Sequence, residues 1–173
     1  STGKYLAKLN YSHRPGLSNS YKSALHDIEV CDTSADATKS LIYKKVKIIV
    51  EHAYHNTRFY KEYYDMCNFD IEQLNGFEDI QKIPFVTKSI LKEFDIKDIS
   101  CVQPGRSLSN TGGSTGLPFY FYTSPEVFGH EWAHIHTIWK DLDFHSRDLK
   151  LNFAGRSSIK DFVDYDLLRH SLL

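Results

Sequence analysis

Eight residues, Thr111-Gly112-Gly113-Ser114-Thr115-Gly116-Leu117-Pro118, limit what this chain can fold into more than any other stretch. Three glycines and a proline in so short a span cannot continue a helix or a central strand. They divide the sequence into a helical part before and a mixed part after. Glycines open backbone geometries closed to other residues, so consecutive N–H groups can converge on one anion. The hydroxyls of Thr111, Ser114 and Thr115 add donors suited to phosphate oxygens. The plain alternative is a hairpin loop made of common turn residues. A Walker loop is excluded, because Gly116 is followed by Leu117 rather than Lys and by a strand rather than a helix.

The flanking patterns define the elements. A short helix is expected around Ser18–Glu29, after the Pro15-Gly16 turn signal. A clear helix starts near Ser40, with Ile42, Val46, Ile49 and Ala53 as one apolar stripe. Thr57 is placed to cap a second helix to about Met66, carrying Phe59, Tyr60, Tyr63 and Tyr64. Asn75-Gly76 reads as a turn and Phe77–Gln81 as a short helical piece. Pro84 forces Ile83 to be extended. Thr87 caps a helix from Lys88 to about Phe94. Strands are expected near Ser107–Asn110 and Phe119–Thr123, with Thr111–Leu117 as the turn between them. Ser124, Pro125 and Glu126 then open a helix striped by Phe128, Trp132, Ile135, Trp139 and Leu142. The alternation Leu149/Leu151/Phe153 reads as a buried strand ending at Gly155. Helix, strand, helix, strand implies an α/β fold, divided into a mostly helical region 1–104 and an α/β region 105–173.

Composition excludes several classes. Of 173 residues, 41% are hydrophobic and 25% charged, so wholesale disorder is not expected. The formal net charge of -1 lacks the basic surplus of a nucleic-acid binder. No apolar run approaches the ~20 residues of a membrane helix, so no membrane insertion is expected. Cys31, Cys67 and Cys101 are odd in number and widely spaced, which points to free thiols and a cytoplasmic location. The chain opens Ser1-Thr2-Gly3 without Met, so its natural start is expected upstream.

The Thr-Gly-Gly-Ser-Thr-Gly-x-Pro stretch resembles the phosphate-binding loop of adenylate-forming enzymes, the acyl-CoA synthetase superfamily. The branch it resembles is that of phenylacetate–CoA ligase-like proteins, among them capsular polysaccharide biosynthesis proteins. His52–Tyr64 is similar to the helical pair of that branch. Ile83-Pro84-Phe85-Val86-Thr87-Lys88 is similar to its Leu-Pro-x-x-Thr-Lys segment. Phe121-Tyr122-x-Ser124-Pro125-Glu126, followed by Glu131-Trp132-Ala133, is similar to its next strand and helix. The likeness covers about residues 42–156.

The resemblance implies a ligase that activates a small carboxylic acid with ATP and Mg, forming an acyl adenylate and releasing pyrophosphate. Transfer to coenzyme A can follow. Thr111, Gly112, Gly113, Ser114, Thr115 and Gly116 would hold the ATP phosphates. Where many relatives carry Lys after the last loop glycine, this chain has Leu117, so one cationic contact is missing. The adenine, ribose and metal motifs and the late catalytic Lys are also missing. The chain therefore reads as the N-terminal part of such an enzyme, an incomplete adenylation core with no complete second domain. It is expected to bind ATP weakly and to be inactive alone. Its partner would be the remaining C-terminal part or a dimer mate.

Two further readings stand beside this one. The chain could be a non-catalytic remnant that binds a partner through exposed aromatic strands. His130-Glu131-Trp132-Ala133-His134 also matches the H-E-x-x-H pattern of zinc metallopeptidases, with His136 or His145 available as a third ligand. That five-residue pattern is far less specific than the glycine loop, and helical phase puts His130 and His134 roughly opposite the apolar stripe. Lys88 reads as a surface or cap-side charge.

Overall fold

The computed structural model describes residues 9–14, 18–111, 118–145, 148, 150–151, 165–166 and 171–172. It is a mixed α/β structure, mostly helical, with a small two-stranded antiparallel sheet. Helices α1 (Ser18–Cys31), α2 (Ala35–Asn56), α3 (Arg58–Met66) and α4 (Lys88–Leu91) precede strands β1 (Ser107–Asn110) and β2 (Tyr120–Thr123). Helix α5 (Val127–Lys140) follows, then the short strands β3 (Lys150–Leu151), β4 (Tyr165–Asp166) and β5 (Ser171–Leu172). β5 pairs parallel with β3 and antiparallel with β4. Within the expected strand Leu149–Phe153, Lys150–Leu151 is a strand, while Leu149 and Phe153 lie outside the described residues.

Contacts group the chain into two compact units, 29–124 and 1–28 with 125–173. The compositional division at 104/105 does not coincide with them, because the β1–β2 hairpin belongs with the helices of 29–124.

Unit 29–124 is organised by capping. Ser34 Oγ accepts from the Ala37 N–H (3.1 Å), so α2 starts at Ala35 rather than near Ser40. Thr57 serves two helices at once. Its Oγ1 accepts from the Tyr60 N–H (3.3 Å) at the start of α3 and donates to the Ala53 carbonyl (2.8 Å) at the end of α2. This reciprocal cap folds α3 back beside α2. Val50 of α2 and Tyr64 of α3 form one buried cluster with Ile71 and Leu74, from the segment after α3, and Tyr43, Val46 and Tyr54 pack against it. The stripe expected on α2 is thereby corrected. The inward line is Tyr43, Val46, Val50 and Tyr54, while Ile42 and Ile49 stay exposed, Ile49 by 66%. Sequence spacing allows both lines, and the larger apolar area of two tyrosines and Val50 fits the surface that α3 presents.

Beyond α3, Asp79 Oδ2 accepts from the N–H groups of Asn75 and Gly76 (2.9 and 3.0 Å), closing the turn before the 3-10 segment Phe77–Lys82. Ile83 is extended before Pro84, as expected. Thr87 Oγ1 caps α4 through the Ile90 N–H (3.3 Å). α4 ends at Leu91, not near Phe94, whose ring turns onto the buried Phe59 (centroids 4.8 Å apart).

The other unit packs Tyr11, Tyr21, Ala24 and Ala133 into one buried cluster. Here too the expected stripe is corrected. The buried line of α5 is Gly129, Ala133 and His136, while Phe128 is 40% exposed and Trp132, Ile135 and Trp139 are half-buried. Ala133 is fully buried within the Tyr11/Tyr21 cluster, so a small side chain sits where the rings crowd. α5 also begins at Val127, two residues after the expected first position Pro125, and Ser124 Oγ accepts from Gln103 Nε2 (3.1 Å).

Candidate functional site

The β1–β2 hairpin forms as its alternation suggests, with Ser107 opposite Thr123, Leu108 opposite Tyr122, Ser109 opposite Phe121 and Asn110 opposite Tyr120. Side chains lock this register. Thr123 Oγ1 lies 3.0 Å from Ser107 Oγ and 3.1 Å from Ser109 Oγ. The Arg106 guanidinium lies over the Tyr122 ring, 3.8 Å from its centroid. The ladder runs one step past the strands, as the Thr111 N–H donates to the Phe119 carbonyl (3.0 Å). Thr111 and Phe119 thus close the base of the glycine loop. Gly112, Gly113, Ser114, Thr115 and Gly116 lie outside the described residues, as does Leu117.

Thr111 is held in a specific way. Its Oγ1 accepts from the Phe119 N–H (3.1 Å) and from the Lys88 ammonium (3.1 Å). A hydroxyl has two acceptor lone pairs and one proton. With both lone pairs occupied, the hydroxyl still has its one proton to donate. Among the described residues no carboxylate pairs with Lys88. One hydroxyl donor and one ammonium therefore stand together at the root of the loop, an arrangement suited to an anionic oxygen.

Lys88 was missed by sequence reasoning as part of this site. It reaches Thr111 across 23 positions because Thr87 caps α4 and sets its first residue against the hairpin. The only signal in the sequence was the Thr87-Lys88 step itself. Beside the hairpin lies a groove of about 520 Å³, walled by Leu91, Phe94, Ile96, Ile99, Leu108 and Tyr122.

The H-E-x-x-H residues are arranged differently from a metal centre. On α5, His134 and Glu131 are exposed and His130 is half-buried. His136 follows His134 by about 200° of helical rotation. Its Nδ1 is 2.9 Å from Tyr21 Oη, and its ring meets Tyr11 edge-on at 4.7 Å. His145 engages Asp148, whose Oδ2 accepts from the His145 N–H (2.7 Å). Among the described residues no three His, Cys, Asp or Glu side chains are placed to share a metal ion. Among the same residues no helix is long and apolar enough to cross a membrane.

Comparison with protein-family models, curated proteins and solved structures finds no match to this chain.

Proposed function

We propose that the chain supplies the phosphate-holding part of an ATP-dependent ligase that activates a small carboxylic acid. The observation that carries this reading is the Lys88 ammonium 3.1 Å from Thr111 Oγ1, at the base of the glycine loop. The resemblance left a cationic contact unfilled where Leu117 stands, and Lys88 offers one from another element.

In the reaction, a carboxylate oxygen attacks the α-phosphorus of ATP bound as its Mg complex. The bond to the bridging oxygen breaks, and pyrophosphate leaves with the electron pair. Charge accumulates on the leaving group, so donors fixed beforehand around the β- and γ-phosphates favour the transition state. Thr111 and Lys88 would act there, joined by the loop residues Gly112, Gly113, Ser114, Thr115 and Gly116. Onward transfer of the acyl group to coenzyme A, and a place in capsular polysaccharide synthesis, belong to the same proposal. So does the role of an N-terminal portion that needs a C-terminal part or partner to complete the reaction.

The test is titration of the 173-residue chain with MgATP and with tripolyphosphate. Weak binding of both is expected. It should be reduced in Lys88→Gln and lost when Ser114→Ala and Thr115→Ala are combined. Equal affinity in all three chains would sink the reading. Acid-dependent exchange of labelled pyrophosphate into ATP is expected to be absent from the chain alone.

A non-catalytic partner-binding role is favoured by one different observation. Leu108 and Tyr120, on a sheet of two strands, are 58% and 49% exposed. Light scattering that shows self-association, lost in Leu108→Lys, would favour that role.

A further inference from the structure

Cys101, just before β1, is not isolated. His52 Nε2, on α2, lies 3.2 Å from its Sγ. Asn56, one turn further along α2, orients that ring. Its Nδ2 donates to the His52 carbonyl (2.8 Å) and lies 3.3 Å from His52 Nδ1. The Asn56 amide nitrogen can donate but not accept, so its contact with Nδ1 suits the tautomer that carries the ring proton on Nε2, facing sulfur. The Arg106 guanidinium donates to the Cys101 backbone carbonyl and lies over the Tyr122 ring, which fixes the backbone at this residue. Cys101 is half-buried, whereas Cys31 and Cys67 are exposed.

We propose that Cys101, His52 and Asn56 form a reactive-thiol site, a point of covalent modification by small neutral electrophiles, with hydrogen peroxide as the oxidant. The inference is independent of the ligase reading. The thiolate is the attacking form of cysteine, and an N–H facing sulfur supports it during attack. The thiol proton passes to solvent. A sulfur lone pair attacks one peroxide oxygen, the S–O bond forms as the O–O bond breaks, and the leaving hydroxide takes up the proton that the thiol released to solvent, giving water. Sulfur loses two electrons and peroxide gains them, so thiol plus peroxide gives sulfenic acid plus water. Asn56 is a positioning residue, acting only through the ring.

Exposure and reactivity make opposite predictions here, which makes the test sharp. The full chain is treated at neutral pH with limiting iodoacetamide, and the rate at each cysteine is read by peptide mass spectrometry. Exposure alone ranks Cys31 and Cys67 ahead of Cys101. The proposal ranks Cys101 first, by about fivefold or more, because among the described residues only its sulfur has an imidazole nitrogen placed to support the attack. His52→Ala should bring Cys101 down to or below the other two and leave their rates unchanged. His52 is exposed, so the fold tolerates this change, and circular dichroism checks it. Asn56→Ala should lower the Cys101 rate in part and alter its pH profile. With hydrogen peroxide, a dimedone-type trap should mark Cys101 ahead of Cys31 and Cys67. A native Cys101 no faster than the exposed cysteines, or a rate unmoved by His52→Ala, overturns the proposal.

Discussion

Unit 29–124 and the unit formed by 1–28 with 125–173 both bury tyrosines against a helix, but they surround them with different chemistry. In 29–124 the most buried side chains are apolar or aromatic: Val50, Phe59, Tyr64, Ile71 and Leu74. Its tyrosine hydroxyls reach polar partners, Tyr43 donating to the Leu74 carbonyl (2.9 Å), Tyr63 to the Phe85 carbonyl (2.9 Å) and Tyr54 to Asp65 Oδ1 (2.9 Å). The other unit buries Arg14 and His136 themselves, at 3% and 6% exposure, among Tyr11, Tyr21 and Ala133. Arg14 lies over the Tyr11 ring at 3.9 Å and donates to the Leu9 carbonyl (3.0 Å). The first core depends on apolar area, the second on polar groups whose partners must be in place. Volume should therefore dominate mutational cost in the first, and geometry in the second.

The largest effect is expected at Phe59, which is 1% exposed and meets the rings of Tyr60, Tyr63 and Phe94. Phe59→Ala should cost about 3–5 kcal/mol, seen as a lower urea midpoint by circular dichroism. Both tryptophans, Trp132 and Trp139, lie in the other unit, so their fluorescence transition should move less. Equal shifts in both signals would break the contrast between the units.

Ala133→Leu comes next. A larger side chain at a fully buried position has no space to enter and should cost about 1–3 kcal/mol. Here the tryptophan fluorescence should report the loss first. Tyr21→Phe keeps the volume and removes only the hydroxyl 2.9 Å from His136 Nδ1, so a cost of about 1–2 kcal/mol would be one of geometry alone. A neutral result would show that this core, too, depends on area. Thr57→Ala should cost about 1 kcal/mol, by freeing the α2–α3 corner in unit 29–124 without touching its core.

The smallest contrast is in alkali. Burial, with a lesser contribution from Tyr60, pushes the Tyr64 phenol up to about 12 from an ordinary 10.0. Burial also raises Tyr60, and it raises Tyr21 against the opposing pull of Arg14. These phenols keep their protons in the native state where the unfolded chain has released them. The stability they add is complete below the unfolded value and is lost as pH rises toward the folded one. Unfolding midpoints should fall between pH 10 and 12 in both units, more in 29–124, with tyrosinate absorbance as the readout. At the acid end, Asp79 is held low by Lys82 and by the N–H groups of Asn75 and Gly76. Its contribution is present above the unfolded value and is lost as pH falls through the folded one.

Much of the local structure could be read directly from residue order. The Thr57 and Thr87 caps, the extended Ile83 before Pro84, and strands on both sides of the glycine loop all form where they were expected. Caps, turns and hairpin alternation act within a few residues, so neighbouring residues carry the whole signal. The face that each helix buries was not legible in this way. Ile49 and Val50 are both aliphatic and adjacent, and only the packing of Tyr64, Ile71 and Leu74 selects Val50. On α5, bulk suggested Phe128, yet the fit around Tyr11 and Tyr21 selects Ala133. The same holds for Lys88 at Thr111 and His52 at Cys101, pairs separated by 23 and 49 positions. Each arises where separate elements meet, and the shape complementarity that brings them together is a property of the packed chain rather than of any local run of residues.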